Sequence, residues 1–323
     1  MSKIHFITGG GGFIGSNLVD KLLDCDQKVV VYDNFSTGRK KFLEQALSNP
    51  NFMLLEADLL DLEAITSAMN IPIDTVWHLA ANADVRFGLD HPRKDLEQNT
   101  IVTHNVLDAM RLNDIKKIVF SSTGSIYGEP LVHPTPEDAP FPVQTSLYGA
   151  SKLACEALIQ AYCEGFGFNG YIFRFVSILG ERYTHGHVFD FCRSLLHNPD
   201  ELRILGDGHQ RKSYIYVQDC IDAMLLALDK CHDGVNIFNL GVDSYVEVND
   251  SVNAIAQHLK VSPRLKYSGE KRGWIGDSPF IWLDTGRIQS LGWKPKINIL
   301  DGVIKTLDWL LLHRYVFGDD HNE

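Results

Sequence analysis

Tyr148 and Lys152 are two residues whose types and spacing suggest chemistry. They lie four positions apart in the segment SLYGASKLACEALIQAY, so a helix would place both side chains on one face. A tyrosine phenol has an ordinary pKa of about 10, and bringing it to about 7 takes roughly 4 kcal/mol of preferential stabilisation of the phenolate. A neighbouring ammonium group supplies part of that stabilisation. The pair therefore predicts a tyrosine that acts as a general base.

Hydroxyl side chains end a strand-like run upstream of this pair. Ser121, Ser122 and Thr123 close the segment KIVFSST, which places them at the carboxyl edge of a predicted strand. A hydroxyl at this edge can share the reacting proton with the phenol and hold a substrate hydroxyl in line. We therefore predict Tyr148, Lys152, Thr123 and Ser122 as the catalytic residues.

A glycine-rich turn near the N-terminus predicts a phosphate-binding site. The segment IHFITGGGGFIG at 4–15 contains an apolar strand, glycines at three-residue spacing (Gly9, Gly12 and Gly15), and the start of a helix near Phe13. Such a turn brings backbone amides and the positive end of the helix to a pyrophosphate, where a Cβ would collide with the ligand.

Asp33 indicates which dinucleotide would bind there. It follows the apolar run VVVY, eighteen residues after Gly15, where a carboxylate accepts hydrogen bonds from the ribose diol of adenosine. A 2′-phosphate would meet negative charge at this position, so the pattern favours NAD over NADP. The oxidised nicotinamide ring would add a second positive charge beside the phenol of Tyr148. Asp58 follows the next strand, either near the adenine or as the N-cap of the following helix.

The hydrophobic pattern of the first 175 residues predicts the frame that positions these groups. Short β-branched runs alternate with helical patterns, such as the four-residue spacing of Ile14, Leu18 and Leu22. This alternation predicts parallel strands with right-handed crossovers. The expected fold class is α/β: a doubly wound parallel Rossmann sheet with a smaller C-terminal substrate-binding lobe. Such sheets bind ligands beyond the carboxyl ends of their strands. The predicted strands are 4–8, 28–32, 52–56, 75–79, 117–121 and 171–175.

Length and composition limit the classes of protein. With 323 residues the chain can form two domains: we predict an NAD-binding domain at 1–175, with a return of the chain around 210–240, and a lobe formed mainly by 176–323. A net charge of −11 argues against nucleic acid as a partner. No apolar run reaches the roughly 20 residues of a membrane span. Six scattered cysteines without paired spacing fit a reducing compartment, so we expect a cytoplasmic location and no membrane partner.

In chain order, these and further segments resemble the extended short-chain dehydrogenase/reductase superfamily, and within it the NAD-dependent nucleotide-sugar epimerase/dehydratase family. The resemblance covers nearly the whole chain and is closest to the UDP-sugar epimerases. The matching segments are TGGGGFIG (8–15), DNFSTG (33–38), ADLLD (57–61), HLAA (78–81), Asn99, SST (121–123), YGASK (148–152), GDGHQRKSYIYVQD (206–219) and LGWKP (291–295).

The resemblance, added to the patterns above, gives two sets of binding residues. The predicted NAD contacts are Gly9, Gly12, Phe13, Ile14, Gly15, Asp33, Asn34, Ser36, Thr37, Gly38, Asp58, Leu59, Leu79, Ala80, Ala81, Asn99, Ser121, Tyr148 and Lys152. The predicted contacts to a nucleotide-sugar substrate are Arg86, Thr123, Ser177, His187, Val188, Arg211, Lys212, Arg272 and Asp277. For the arginines and the lysine, the alternative is a surface ion pair. We expect no metal, because His185 and His187 lack further ligands in a recognisable pattern.

Two members of the substrate set depart from the UDP-sugar epimerase pattern. Ser177 stands where those epimerases usually have asparagine, and Lys212 where they commonly have arginine. A serine is shorter and makes fewer hydrogen bonds than an asparagine. The contact to the diphosphate is therefore expected to differ in this protein.

The resemblance implies that Tyr148 takes the proton from a sugar C4 hydroxyl while hydride passes to NAD, which gives a 4-keto sugar. Sugar 4,6-dehydratases carry Asp-Glu after the strand-end threonine, and UDP-glucuronate decarboxylases carry a glutamate at the second of these positions. This chain has Gly124 and Ser125 there, which disfavours both reactions.

Three functions remain. The leading expectation is a 4-epimerase, with a UDP-hexose as substrate. The alternative is a C4 dehydrogenase or reductase acting on an unusual GDP-, CDP- or dTDP-sugar. A non-catalytic NAD-binding sensor is a distant third, since Tyr148 and Lys152 are both retained. The resemblance also implies a homodimer through a four-helix bundle, formed by the helix of Tyr148 and the one near Asn99.

Overall fold

The computed structural model describes residues 2–85, 87–141, 143–269, 272–273, 276, 278 and 280–318. Its strands are β1 Ile4–Thr8, β2 Lys28–Asp33, β3 Phe52–Glu56, β4 Thr75–His78, β5 Lys117–Thr123, β6 Asn169–Phe175, β7 Ser177–Leu179, β8 Glu201–Ile204, β9 Arg211–Lys212, β10 Tyr214–Tyr216, β11 Val235–Leu240, β12 Val246–Glu247, β13 Arg264–Tyr267 and β14 Phe280–Ile281. Its α-helices are α1 Phe13–Asp24, α2 Glu44–Leu47, α3 Leu62–Ala68, α4 Phe87–Asp90, α5 Pro92–Asp95, α6 Val102–Leu112, α7 Leu147–Phe166, α8 His187–His197, α9 Val217–Lys230, α10 Val248–Leu259, α11 Gly286–Gln289 and α12 Ile299–Leu312.

The chain divides into two compact units. The first contains Met1–Gly128, Pro140–Phe175 and Met224–Phe238. Its centre is a seven-stranded sheet in the order β11-β6-β5-β4-β1-β2-β3, and the neighbours from β6 to β3 all pair in parallel. The predicted doubly wound parallel sheet is confirmed.

The sheet is covered by helices because its strands are apolar on both faces. In β1, for example, Phe6 and Ile7 are both fully buried although successive strand residues point to opposite faces. Phe6 joins a core cluster with Ile65 of α3, Val106 of α6 and Ile159 of α7. Burial on both faces is the usual condition of a parallel sheet.

The strand order creates a crevice at one edge of this sheet. The chain proceeds from β1 to β2 and β3 on one side, and β4 then pairs with β1 on the other side. Ligands of such sheets bind at the carboxyl ends of the strands where the order reverses. The glycine-rich turn follows β1 and the HLAA segment begins at the end of β4, so both lie at this point.

Local signals fix the helix that carries the tyrosine and the lysine. Ser146 caps α7, with its side chain accepting a hydrogen bond from the amide of Gly149. The helix ends at Gly167, which has a φ of 64°, a conformation that glycine adopts without strain. Tyr148 therefore lies in the first turn of α7 and Lys152 in the second.

The second unit contains Glu129–Ala139, Val176–Ala223 and Asn239–Glu323. Its described residues form three small sheets, β10-β7, β12-β9-β14 and β13-β8. The described residues include no helix long and apolar enough to cross a bilayer.

The two units differ from the predicted division at 175 in two places. Residues 129–139 belong to the second unit, because the Thr135 amide donates to the Trp282 carbonyl at 2.9 Å and the Asn239 side chain donates to the Thr135 carbonyl at 2.9 Å. The return to the first unit spans 224–238 rather than 210–240. Both differences depend on contacts between segments far apart in sequence.

Candidate active site

The glycines of the first turn have two different roles. Gly9 has a φ of +72°, and a Cβ there would lie 2.6 Å from the Ala80 amide nitrogen. A Cβ on Gly15 would overlap the carbonyl oxygen of Gly9. These two glycines are therefore required by the packing of the protein itself. A Cβ on Gly12 would meet only the Gly9 carbonyl oxygen, at 3.2 Å, so Gly12 borders open space.

The start of α1 can receive a pyrophosphate. Gly12 is the N-cap and offers no side-chain acceptor, and the first turn, which begins with Phe13 and Ile14, contains no acidic residue. The amides of a first helical turn have no partner within the helix, and the helix dipole favours an anion there. The open side of Gly12 and these amides fit the diphosphate of NAD.

Asp33 lies at the end of β2 and is 8% exposed. Its carboxylate accepts hydrogen bonds from the amides of Gly11 and Phe35, each at 2.8 Å. Burial raises the pKa of this carboxyl group, while the two amide hydrogen bonds lower it. The carboxylate is held against the glycine-rich turn, the position expected for a group that binds an adenosine ribose.

The loop after β2 packs on the same turn. The Arg39 amide donates to the Gly11 carbonyl at 2.9 Å, and Gly38 lies so close to Gly11 that a Cβ would be 2.9 Å from its carbonyl carbon. Ser36 and Thr37 are exposed in this loop. A side chain at position 38 would push the loop off the turn, so this glycine is required by a close approach.

Asp58 holds the loop after β2 instead of capping a helix. Asn34 donates to Asp58 Oδ2 at 3.0 Å, and the amide of Leu60 donates to Asp58 Oδ1 at 2.8 Å. The N-cap of α3 is Asp61, so the capping alternative for Asp58 is wrong. Leu59 is buried beside it.

The HLAA segment is fastened to β1 at the crevice. The amides of Leu79 and Ala80 donate to the Thr8 carbonyl and hydroxyl, at 3.2 and 3.4 Å. Ala81 is half-buried behind them. His78 is fully buried, with its Nδ1 2.7 Å from the Thr8 hydroxyl, and burial lowers the pKa of His78 to about 3. This neutral histidine is a site-supporting residue that the sequence analysis did not single out.

Asn99 connects the crevice to α7. It lies in a π-helical turn, Leu96–Ile101, and is buried. Its side chain accepts a hydrogen bond from the Asn82 amide at 2.9 Å and donates to the Ser151 hydroxyl at 2.8 Å. Asp95, one helical turn earlier, accepts from Asn82 Nδ2 at 2.9 Å. Asn82, Asp95 and Ser151 were missed by the sequence analysis, although Asp95 shares the helical spacing of Asn99.

Lys152 is 2% exposed and is fixed in place by the strand end. Its Nζ donates to the Ser121 carbonyl at 2.9 Å and lies 4.7 Å from the centroid of the Phe120 ring. Burial lowers the pKa of Lys152 to about 8. The lysine is therefore close to the point at which it loses its charge.

Tyr148 interacts with Thr123. The Thr123 hydroxyl also donates to the Ser125 hydroxyl at 3.2 Å and accepts from the Ser125 amide at 3.1 Å. Burial raises the pKa of the phenol to about 12, and the Thr123 side chain lowers it in part. The four-residue spacing of Tyr148 and Lys152 predicts the opposite direction, because a neighbouring ammonium group lowers the pKa of a phenol. In the folded chain alone the phenol stays protonated, because desolvation outweighs the favourable contacts.

Ser122 departs from its predicted catalytic role. Its hydroxyl donates to the carboxylate of Glu156, a fully buried residue. Thr123, its neighbour, interacts with Tyr148 instead. Both partners lie on α7, with Tyr148 in its first turn and Glu156 about two turns further on, so the two hydroxyls meet the same helix at different heights. We therefore assign the Ser122 hydroxyl to a buried contact.

The predicted substrate residues of the second unit occupy varied environments. Ser177 is exposed at the start of β7, and Val188 is buried in α8. His187 is the first residue of α8, and its Nε2 is buried without a hydrogen-bond partner among the described residues. Burial lowers the pKa of His187 to about 4.

The cations of that unit have partners. Lys212 donates to the Ser278 carbonyl, and Arg272 pairs with Glu129, the ion pair named above as the alternative. The Arg211 guanidinium lies 4.3 Å from the centroid of the Phe280 ring. Arg86 and Asp277 lie outside the described residues.

Comparison with known proteins gives a consistent assignment. The model of the NAD dependent epimerase/dehydratase family matches residues 5–241. A putative UDP-glucose 4-epimerase from Methanocaldococcus jannaschii is 33% identical over 94% of this chain and 97% of its own length.

Two solved structures share the fold. The UDP-glucose 4-epimerase of Thermotoga maritima, solved with UDP-glucose, has a TM-score of 0.87 and 30% identity over 96% of this chain and 99% of that one. The UDP-glucose 4-epimerase of Thermus thermophilus, in complex with NAD, has a TM-score of 0.84 and 30% identity over 95% and 99%. Because the family match covers both the sheet and the segments at its carboxyl edge, the chain belongs to the NAD dependent epimerase/dehydratase family and is an NAD-dependent enzyme of sugar-nucleotide chemistry.

Proposed function

We propose that this protein is a nucleotide-sugar 4-epimerase, with a UDP-hexose as its substrate. The observation that carries the proposal is the arrangement at the end of β5, where Lys152 Nζ donates to the Ser121 carbonyl at 2.9 Å and the Tyr148 phenol interacts with Thr123. The next two residues, Gly124 and Ser125, have no group that transfers a proton near neutral pH. The strand end therefore supports oxidation and reduction at one carbon and lacks an acid for elimination.

Each residue has a defined part in this reaction. Bound NAD supplies a reversible hydride acceptor and a positive charge. Tyr148 Oη takes the proton of the C4 hydroxyl and later returns it, and the Thr123 hydroxyl holds the reacting oxygen in line. The Lys152 ammonium group, fixed by the Ser121 carbonyl, stabilises the phenolate. Inversion follows when the 4-keto sugar accepts hydride on its other face.

Ionisation of Tyr148 couples catalysis to cofactor binding. Because burial raises the pKa of the phenol to about 12 in the protein alone, the base needs a further positive charge. The oxidised cofactor brings that charge to the crevice. The proposed base therefore becomes active only in the loaded enzyme.

We further propose the predicted NAD contacts at the carboxyl ends of β1 to β5 as the cofactor site, and Ser177, His187, Val188, Arg211, Lys212 and Arg272 as residues that bind the nucleotide sugar. Arg272 now pairs with Glu129, both about half exposed. An exposed ion pair is worth at most about 1 kcal/mol, so a substrate phosphate can replace Glu129. Arg86 and Asp277 stay predictions.

Incubation of the purified protein and NAD with UDP-, GDP-, CDP- and dTDP-sugars tests the function, with inversion at C4 followed by proton NMR. We expect inversion of a UDP-hexose and a loss of at least about 100-fold in Tyr148→Phe. Tyr162→Phe is the matched control, since Tyr162 lies further along α7 and packs on Phe166 and Phe168. No inversion of any sugar nucleotide, or full turnover by Tyr148→Phe, contradicts the proposal.

A C4 dehydrogenase or reductase is the second candidate, and Ser177 and Lys212 favour it. Ser177 is exposed in β7 and Lys212 donates to the Ser278 carbonyl, so the pair supplies fewer donors to a diphosphate than an asparagine and an arginine. This candidate predicts accumulation of NADH in proportion to the sugar consumed, or dependence on an added oxidant. Turnover without net NADH excludes it.

We also propose a homodimer formed through α6 and α7, on the resemblance given above. Apolar side chains at the ends of these helices support it, since Leu112 is 55% and Phe166 is 47% exposed. Light scattering during size-exclusion chromatography would give twice the chain mass of 36.3 kDa. A monomer at micromolar concentration contradicts this proposal.

A further inference from the structure

Glu156 and Arg174 form a buried ion pair that has no part in the proton transfer described above. Glu156 is fully buried and Arg174 is 2% exposed. The guanidinium group contacts both carboxylate oxygens, with Nε 3.1 Å from Oε1 and Nη2 2.8 Å from Oε2. Arg174 Nη1 also donates to the Tyr127 hydroxyl at 2.7 Å. The pair therefore links α7, β6 and the 3₁₀ turn Gly124–Tyr127, which follows β5.

Stability alone does not account for a buried pair of this kind. Each ion loses several kcal/mol of hydration on burial, and the attraction between the two often only balances that loss. Well-packed apolar residues of similar volume frequently give equal or greater stability. Directional contacts, which apolar residues lack, are what this pair provides.

Three residues of α7 at four-residue spacing each contact one of three consecutive residues at the end of β5. The contacts are Tyr148 with Thr123, Lys152 with the Ser121 carbonyl, and Glu156 with the Ser122 hydroxyl. On a helix this spacing forms one stripe. Three successive turns of α7 thus contact the strand end. The proposed catalytic tyrosine and lysine make two of these contacts, and Glu156 makes the third.

We propose that Glu156 and Arg174 are positioning residues for the proton transfer. By holding Ser122, they set the register of the strand end against α7, which keeps the Thr123 hydroxyl on the phenol and the Ser121 carbonyl on the ammonium group. The inference rests on the proposed function, because it assigns the pair to the support of Tyr148 and Lys152.

Ser122→Ala tests the proposal without breaking the ion pair. It removes the hydroxyl that joins the strand end to Glu156. We expect kcat to fall about 10-fold with KM nearly unchanged. The acid limb of the pH profile moves to higher pH, because the Thr123 contact that lowers the phenol pKa is loosened. A residue that only stabilises the fold would leave this limb in place.

Thr75→Val is the matched control. Thr75 is also fully buried, and its hydroxyl donates to a carboxylate, that of Asp74, at 2.6 Å. It lies at the amino end of β4, at the opposite edge of the same sheet from the site. We expect a similar fall in melting temperature, with kcat and the pH profile unchanged. Wild-type kinetics in Ser122→Ala, or equal kinetic losses in both variants, overturns the proposal.

Glu156→Gln is a stronger perturbation, because it leaves the Arg174 charge buried without its counter-charge. We expect a loss in kcat of at least about 100-fold in the folded variant. If that variant does not fold, Ser122→Ala decides alone. A folded Glu156→Gln protein with wild-type kcat also overturns the proposal.

An assay that needs no turnover separates this inference from the proposed function. With ¹³C-labelled tyrosine, the Tyr148 resonance of the NAD-loaded protein is assigned by its absence in Tyr148→Phe, and its pKa is followed by NMR. In Ser122→Ala we expect that pKa to rise by about half a unit or more, with no change in Thr75→Val. A rise without any sugar inversion supports the positioning role and contradicts the epimerase, whereas an unchanged pKa contradicts the positioning role.

Discussion

Lys152→Met should make the protein more stable at neutral pH while it abolishes turnover. Burial lowers the pKa of Lys152 from 10.5 to about 8, and each pKa unit corresponds to about 1.4 kcal/mol. Holding the charged lysine in the folded chain therefore costs about 3 kcal/mol at pH 7. Loss of its hydrogen bond to the Ser121 carbonyl offsets about 1 kcal/mol. We expect a net increase of about 2 kcal/mol in the free energy of unfolding.

The sign of the pH dependence follows from linkage. Above the folded pKa of about 8, the folded chain releases the Lys152 proton before the unfolded chain does, so the unfolded state binds more protons and stability rises with pH. Between pH 7 and pH 9.5 the wild type should regain about 2 kcal/mol from this group. Lys152→Met lacks this contribution, so its advantage should almost vanish at pH 9.5.

Urea denaturation of the NAD-free wild type and variant at the two pH values measures these differences. Lys116→Met is the control, because the Lys116 side chain is 44% exposed and its removal should leave the wild-type pH dependence intact. Equal pH dependence in the wild type and Lys152→Met would refute the reasoning. So would a variant that is less stable than the wild type at pH 7.

Three further predictions concern the site and its frame. Thr123→Val removes the side-chain contact that lowers the pKa of Tyr148. The acid limb of the pH profile of kcat should therefore move to higher pH, and kcat at pH 7 should fall about 10-fold. A steady-state pH series in which the acid limb does not move contradicts this prediction. Gly15→Ala should destabilise the fold, because its Cβ would overlap the carbonyl oxygen of Gly9, whereas Gly12→Ala should fold and bind NAD more weakly. Thermal unfolding measures the first effect and calorimetric titration with NAD measures the second. Equal melting temperatures of the two variants would contradict this prediction. Burial lowers the pKa of His78 from 6.5 to about 3, so the stability that the neutral ring contributes is present above pH 6.5 and is lost as the pH falls below it. The expected loss is about 2 kcal/mol between pH 7 and pH 5. Urea denaturation should therefore show a weaker dependence of stability on acid pH in His78→Gln than in the wild type, and an identical dependence contradicts the assignment.

The sequence predicted the sheet and its edge because these depend on local signals. The runs at 4–8 and 52–56 are strands with the predicted bounds, since short apolar runs of this length favour a strand. Asp33 lies at the carboxyl end of β2, one residue past the predicted end of that strand at 32. These features need only the pattern of neighbouring residues, which is available before the chain folds.

Pairing between distant segments could not be predicted in the same way. β5 continues to Thr123 because it pairs with β6 up to Phe175, two residues beyond the predicted end. Asp58 binds Asn34 instead of capping α3. The partner of a side chain at a strand end is set by the loop or helix that packs on it, and no local pattern specifies that element.

The amino-acid sequence by itself determined the types of chemical group available, their spacing along helices and strands, and the parallel order that gathers them at one sheet edge. The tertiary structure alone decided which of Ser122 and Thr123 meets Tyr148, and that Glu156 and Arg174 support the strand end. It also decided the ionisation of Tyr148 and Lys152. The physical reason is that strand register and desolvation arise from packing between segments distant in sequence, and these two set the contacts and the charges of a buried site.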